Sequence, residues 1–472
     1  MSINSALTAA MSGLTANARK AETVSSNIAN ALTPGYGRRE LDLAARIAGN
    51  SPAGVRITGE RRIADLALTN DRRSADARLA EVRVQIDALA DFDRVLGQPG
   101  APGALTTRIA TFEAALTEAS SRPDQPVRLE AVARTAGDLV EGINRSARSL
   151  DAAAMDTDQR IEDTVRRLDA ALGEVERLNR TIQRQTLRGE QPNGLMDQRQ
   201  RLIDSIADIV PLREVQRPQG QIALFTEGGA ILLDGRAATV SLSTDSPPLV
   251  TLDDREVGTG TGGLMGGGSL AGLIALRDIA LPEMRAGLDN LALDLIDRFR
   301  TDPPAEGLFR DAAGLDPATD GIVGLAGRLV LHPMGSPPAP APEVWRLRDG
   351  LDAAAPGLPG DSSLLRTFAD ALEDLRPPAA ATPGTAWFAA PQQSFTGFAS
   401  ELQSRLGGLR FGLEDRATFF AAQGEGLRDA EARNGVDTDR EMQALLMIER
   451  AYAANARVIK AADEMLQRLM AL

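Results

Sequence analysis

The sequence predicts a multidomain, mainly α-helical protein, with terminal coiled-coil helices, a body of long bundled helices and a small antiparallel β domain inserted in that body. Three observations predict it. Apolar residues near both ends recur at steps of three and four, the spacing that keeps one stripe of a helix against another helix. Long interior stretches hold the helical period and break only at Gly and Pro. One stretch, 213–265, changes to alternation at every second residue, the period of a strand with one covered face.

The N-terminal stripe runs through Leu7, Met11, Leu14, Ala18, Ala21, Ser25, Ile28 and Leu32. It stops at Thr33-Pro34-Gly35-Tyr36, where proline bars continuation of the helix. At the other end Leu445, Ile448, Tyr452, Asn455, Ile459, Ala462, Leu466 and Leu469 make a second stripe with one polar member. Asn434-Gly435 and the acidic residues Asp437 and Asp439 predict the start of that helix, since short acidic side chains accept from its first free N–H groups.

Between the ends, helices are predicted from Arg61 to Leu96, from Leu105 to Ala119, from Val127 to about Arg188, and from Leu195 to Val210, with Gly- and Pro-containing turns between them. The alternating pairs Ile222/Leu224, Ile231/Leu233, Val240/Leu242 and Val250/Leu252 predict a β-meander. Helix resumes from Ser269 to Arg300 and again from Phe395 to about Arg433. Residues 301–394 are rich in Pro and Gly with weak periodicity, which predicts either a small outer domain or a loosely ordered insertion. The expected organisation is therefore discontinuous. Residues 1–40 with 436–472 form a terminal assembly domain, and 41–212 with 266–300 and 395–435 form a helical bundle. Residues 213–265 and 301–394 are insertions.

Composition excludes several function classes. The chain has 472 residues, 43% hydrophobic but only 3% aromatic, so its apolar area comes from Ala, Leu, Val and Ile, which suits close helix packing. A net charge of -13 opposes binding to nucleic acid, which needs a basic footprint, and to an anionic membrane surface. There is no cysteine, hence no disulfide framework or thiolate site. Polar residues interrupt the first apolar positions and Arg19-Lys20 follow them, the reverse of a secretory signal. No apolar run reaches the roughly 20 residues of a membrane span.

Candidate chemistry is sparse, and no catalytic, cofactor-binding or metal-ligating residue is expected. The single histidine, His332, rules out a His-pair metal site and sits in a Pro-rich stretch. Gly258 to Gly263 matches GxGxxG in form, without a convincing strand-turn-helix unit or acidic residue about 20 positions on, so a flexible linker explains it better. The pairs Asp156/Asp158 and Asp437/Asp439 could serve a calcium site or a two-carboxylate glycosidase, but capping of helices is the simpler role.

The run from Ser26 to Tyr36, with Asn27, Asn30, Pro34, Gly35 and Tyr36, resembles the N-terminal signature of flagellar rod, hook and hook-associated proteins. The run from Arg450 to Leu466 is similar to the C-terminal signature of the same axial proteins. Within that group, Leu178 to Ile182, Asn193 to Leu202, Gly272 to Asp278 and Leu288 to Ala292 resemble the hook-associated protein 1 family, FlgK. The resemblance implies a non-enzymatic subunit between hook and filament that self-assembles through its terminal helices. It implies as partners other copies of the chain, the hook protein, the second hook-filament junction protein and an export chaperone at the C-terminal region. It also implies an extracellular place in the bacterial flagellum, reached through the flagellar type III channel without a cleaved signal. A rod or hook subunit of the same axial group is the structural alternative, and a secreted peptidoglycan-active enzyme using acidic residues is the alternative of another class.

Overall fold

The computed structural model describes residues 3–33, 35–48, 51–98, 100–260, 262–300, 307–315, 321–333, 343–377, 388 and 392–470, without the side chains of 3–5, 48, 51–53, 434 and 469. The chain is mainly helical and divides into two compact units, 1–81 with 163–271 and 417–472, and 82–162 with 272–416. Several long helices contribute residues to both.

In the first unit, α1 (Ile3–Ala29) leads into a two-stranded antiparallel hairpin, β1 (Arg38–Ala48) and β2 (Ser51–Ile63). This hairpin replaces the helical reading around Arg61, because α2 (Leu66–Leu96) begins only after Asp65, whose carboxylate accepts the N–H groups of Ala67 and Leu68. The second half of α4 (Pro126–Leu187) follows, ended by Gly189 at φ +79, a left-handed conformation that costs glycine little. Then come α5 (Asn193–Ala207) and two small antiparallel sheets where one meander is predicted. The four-stranded sheet is β3 (Leu212–Gln216), β4 (Ile222–Thr226), β5 (Ile231–Asp234) and β6 (Arg236–Ala237). The three-stranded one is β7 (Val240–Leu242), β8 (Val250–Leu252) and β9 (Arg255–Glu256). Ile222, Leu224, Leu233, Val240 and Val250 are buried, but so are Ala223 and Leu232, while Ile231 is exposed, so strict alternation does not hold in β4 and β5.

The second unit holds α3 (Leu105–Ser121), the first half of α4, and a helix that starts as α6 (Gly268–Ala275) and continues as α7 (Leu281–Arg298). A π-helical turn, Leu276–Ala280, joins those two. Pro282 explains it: with no N–H to complete the α-helical ladder, the backbone widens by one residue there. The described part of 307–377 adds β10 (Phe309–Asp311), α8 (Leu325–Arg328), β11 (Leu329–Leu331), α9 (Arg346–Asp349) and α10 (Ser363–Glu373). Phe309, Phe368 and Leu365 from this segment are fully buried, so the Pro-rich stretch supplies core residues. Arg298, also buried, pairs with Asp294 at 2.6 Å and donates to the carbonyls of Ala371, Asp374 and Gln393, which ties α7 to the segment beyond α10. The chain ends with α11 (Phe395–Asn434) and α12 (Thr438–Met470), the latter capped by Asp437, which accepts the N–H groups of Asp439 and Arg440.

Candidate functional site

Two features of the first unit concentrate the residues singled out in the sequence: the turn after α1, and the packing of α1 against α12. The turn is built around Asn27, which is fully buried. Its amide nitrogen donates to the Arg39 carbonyl at 2.9 Å, and its amide oxygen accepts from the Arg39 N–H at 3.0 Å and the Tyr36 hydroxyl at 2.9 Å. Only an amide can both give and take in this way, so aspartate or leucine would leave a buried partner unpaired. Asn30 donates to the Ser26 carbonyl and accepts from the Thr33 hydroxyl, which closes the last turn of helix. Gly35 sits at φ +77, where a side chain would be strained and would also strike Arg201. Pro34 lies outside the described residues.

Asp197 on α5 locks this turn from the other side. Its carboxylate accepts from the Gly37 N–H at 3.2 Å, from Arg62 at 2.9 Å and from Arg39 at 3.1 Å, and the Arg39 guanidinium lies 5.0 Å over the Tyr36 ring. Arg38 then reaches Glu441 at 2.7 Å, a bond between residues 403 apart that fastens the start of β1 to the start of α12. Beneath it, Arg72 holds Asp76, Asp204 and Glu431, while the buried Arg73 holds Asp204 and Glu214. Burial pulls the Arg72 guanidinium down, but the charges of Asp204 and Glu431 and its hydrogen bonds outweigh this and leave it above its usual range. It stays charged, and the end of α11 is anchored by it.

Along α12, Glu441, Ile448, Asn455 and Ala462 stand seven residues apart on one edge, and all are covered or partly covered. Leu445, Ile459 and Leu466 lie beside them, half-buried; Tyr452 is exposed, and the Leu469 side chain lies outside the described residues. Asn455 meets Gly13 of α1 so closely that a Cβ there would lie 2.8 Å from its amide nitrogen. On α1 the covered positions are Ala10, Gly13, Ala16, Thr23, Val24 and Asn27. The sequence stripe lies elsewhere. Leu7, Leu14, Ala21 and Ile28 are half-buried, Ala18 is exposed, Met11 is 57% exposed, and Leu32, at 97%, falls in the turn after the helix. At 100° per residue its centre is roughly 130° around α1 from the covered face. A second heptad also stands exposed on α12: Met447, Ala451, Ala454, Val458, Ala461 and Met465. α12 therefore shows one stripe to α1 and another to solvent, while the second stripe of α1 is half-buried at Leu7, Leu14, Ala21 and Ile28 and open at Met11 and Ala18.

Elsewhere the candidate chemistry dissolves into structure. His332 is buried after β11 with its ring 3.5 Å from Asp352. The glycine tract folds on itself through Gly263 N–H to Gly260 and Met265 N–H to Gly258, which uses the donors a phosphate would need. Asp156 pairs loosely with Arg160 on an exposed face of α4. Among the described residues no group of three or more His, Asp or Glu could hold a metal, and no helix is long and apolar enough to cross a membrane.

Comparison with known proteins locates the resemblance. The helical domain of flagellar hook-associated protein FlgK matches residues 89–301, the flagella basal body rod protein family matches 7–36, and the C-terminal family of the basal body rod FlgEFG proteins matches 432–472. The chain is similar to the FlgK family along its helical middle and to the rod-type families at its two ends. Flagellar hook-associated protein 1 of Bacillus subtilis is 25% identical over 335 residues, covering 62% of this chain and 66% of that protein. Its Salmonella typhimurium counterpart is 27% identical over 316 residues, covering 63% of this chain and 56% of that protein. The matched part thus spans less than two thirds of these FlgK relatives. The solved flagellar hook junction protein FlgK from Burkholderia pseudomallei superposes with a TM-score of 0.44 at 18% identity over 51% of this chain and 46% of that one, too loosely to carry an argument. In this chain the two rod-type matches cover α1 with its turn and α12. Sequence reasoning missed the residues that join them, Arg38, Arg39, Arg62, Asp197 and Glu441. No local signal marked Asp197, which stands with Arg201 and Asp204 on the polar side of α5.

Proposed function

We propose that this chain is a structural subunit of the bacterial flagellum that forms the junction between hook and filament and assembles through α1 and α12. The observation that carries the reading is that two helices from opposite ends of the sequence pack together while α12 leaves a heptad stripe open and α1 leaves one partly open. A stripe of Leu, Met, Val and Ala on a helix is stable when another helix covers it, and in a tier of identical subunits that helix comes from a neighbour. On this reading Leu7, Met11, Leu14, Ala18, Ala21, Ile28 and Leu32 face neighbouring copies. Leu445, Ile448, Tyr452, Asn455, Ile459, Ala462, Leu466 and Leu469 set the pairing of the two ends within a copy. Asn27, Asn30, Pro34, Gly35 and Tyr36 fix the exit angle of the chain. Residues 1–40 with 436–472 act as the assembly domain and the remaining domains stand outside it.

The partners that follow are other copies, the hook protein on one side and the second junction protein on the other, with a chaperone holding the C-terminal region before export through the type III channel. The names of the relatives support this placement, and the family is a structural one. Deletion of the gene tests the proposal. Cells that build hooks without filaments support a junction subunit, whereas cells that lose the hook itself make the chain a rod or hook subunit.

A further inference from the structure

A cleft of about 340 Å³ opens in the first unit between the end of α4, the start of α5 and strands β3 and β4, within the range of small-ligand sites. Arg199 lines it and is only 7% exposed. One guanidinium nitrogen, Nη1, donates to the Asn179 side-chain oxygen at 2.7 Å and the Gly220 carbonyl at 2.8 Å. Arg199 has no ion pair among the described residues. The carboxylate nearest in effect, that of Glu214, is bonded at 3.0 Å to Arg73. A cation left in this state is costly, and burial pulls the group down to about 10, with Glu214 opposing the fall and Arg62 adding to it.

Other groups on the same wall also wait for partners. The Thr186 hydroxyl is buried with none. The amides of Gln200 and Gln216, which line the cleft as well, make no side-chain hydrogen bond among the described residues. The first turn of α5 borders the cleft without a side-chain cap, its Leu195 and Met196 N–H groups donating to the Pro192 carbonyl. Arg62, Arg217 and Gln221 on the lining donate to Asp197, Asp234 and Gln183, which leaves Arg199, Gln200 and Gln216 for a ligand.

We propose that this cleft binds a single carboxylate group, gripped by the open edge of the Arg199 guanidinium with Gln200 and Gln216 beside it. The planar fork of arginine matches a carboxylate, and one negative charge balances one free cation. A phosphate dianion fits worse, because Glu60, Glu190 and Glu214 also line the cleft, Glu214 already engaged by Arg73, and repel the second charge. The carboxylate comes either from a free small acid or from an Asp or Glu side chain of another copy of this acidic chain.

The test uses the full chain in monomeric form, titrated at constant ionic strength with acetate, glutamate and inorganic phosphate while the Arg199 Nε–H resonance is followed. Saturable shifts with acetate and glutamate, weaker with phosphate, are expected. Glu60→Gln and Glu190→Gln, which keep the fold, each tighten binding about two- to threefold through removal of one nearby charge. Arg199→Lys, which keeps the charge and loses the fork, weakens it. If glutamate also suppresses self-association in sedimentation runs, the acid belongs to a neighbouring copy; unchanged self-association assigns it to a free small acid. Absence of a saturable shift with both carboxylates, or tighter binding of phosphate than acetate, overturns the proposal.

Discussion

The aromatic core of the second unit and the helix pair of the first solve packing in opposite ways. In the core, Phe112, Phe299, Phe309 and Phe368 are buried almost completely, with ring centroids 4.9 to 5.9 Å apart in tilted and edge-on contacts. Large side chains are inside, as in any closed core. In the α1–α12 pair the order is reversed: Ala10, Gly13, Ala16 and Ala462 are covered, while Met11, Met442, Met447 and Met465 stand out in solvent. Small residues let the two helices approach closely, but they bury little apolar area. The difference teaches that one region closes its large side chains inside while the other covers small ones and leaves large ones open, as the proposed assembly with neighbouring copies requires.

The comparison breaks most readily under substitution of a core ring. Phe112→Ala is expected to cost about 3–5 kcal/mol in guanidinium unfolding, because Phe299 and Phe309, both buried, close on the position and cannot collapse fully into the space. Met447→Ser should leave the monomer within about 0.5 kcal/mol of the parent and yet prevent assembly, seen as loss of sedimenting oligomer. Equal effects of the two changes on the monomer would erase the distinction.

A smaller effect sharpens it. Asn27→Ala strands the Arg39 N–H, the Arg39 carbonyl and the Tyr36 hydroxyl, at about 1–3 kcal/mol, and should open a trypsin site at Arg38 or Arg39 in limited proteolysis. Smallest is a pH effect confined to the second unit. Burial raises the Asp289 carboxyl above the usual range, more than the N–H groups of Ala326 and Gly324 lower it. The folded state then holds a proton that the unfolded state has released. Its contribution is full below the ordinary carboxylate pKa and fades as pH rises through the raised one. The stability of the parent relative to Asp289→Asn should therefore decline across that window and level off above it, as urea midpoints taken at successive pH values will show.

Much of the fold was legible because period, glycine and proline act locally. The 62-residue α4 is bounded within a residue or so by Pro126 and Gly189, and Asp437 announces α12 by its own capping bonds. The β1–β2 hairpin had a signal too, in Leu41 and Leu43, in Val55 and Ile57, and in Gly49-Asn50 between them. It was overrun by helical expectation because its alternation is short and its polar members are mostly arginine. The segment 301–394 was opaque for another reason: Phe309 and Phe368 meet their partners only in space, from strands of three residues and helices of four to eleven. At the candidate site the stripes could be counted in the sequence, but which face of α1 turns to α12 could not. A helix with apolar residues on two sides does not say which side its own chain will cover.

The notch at Gly13 has a mechanical meaning. Sliding α12 along α1 by one heptad would carry Asn455 against Ala6 or Lys20, where a side chain fills the place that glycine leaves empty. The pair thus has a detent at Gly13, and a displacement of one heptad, about 10.5 Å, meets a steric stop. A load applied along the axis is borne by stretch of two helices held in one register, not dissipated as slip between them.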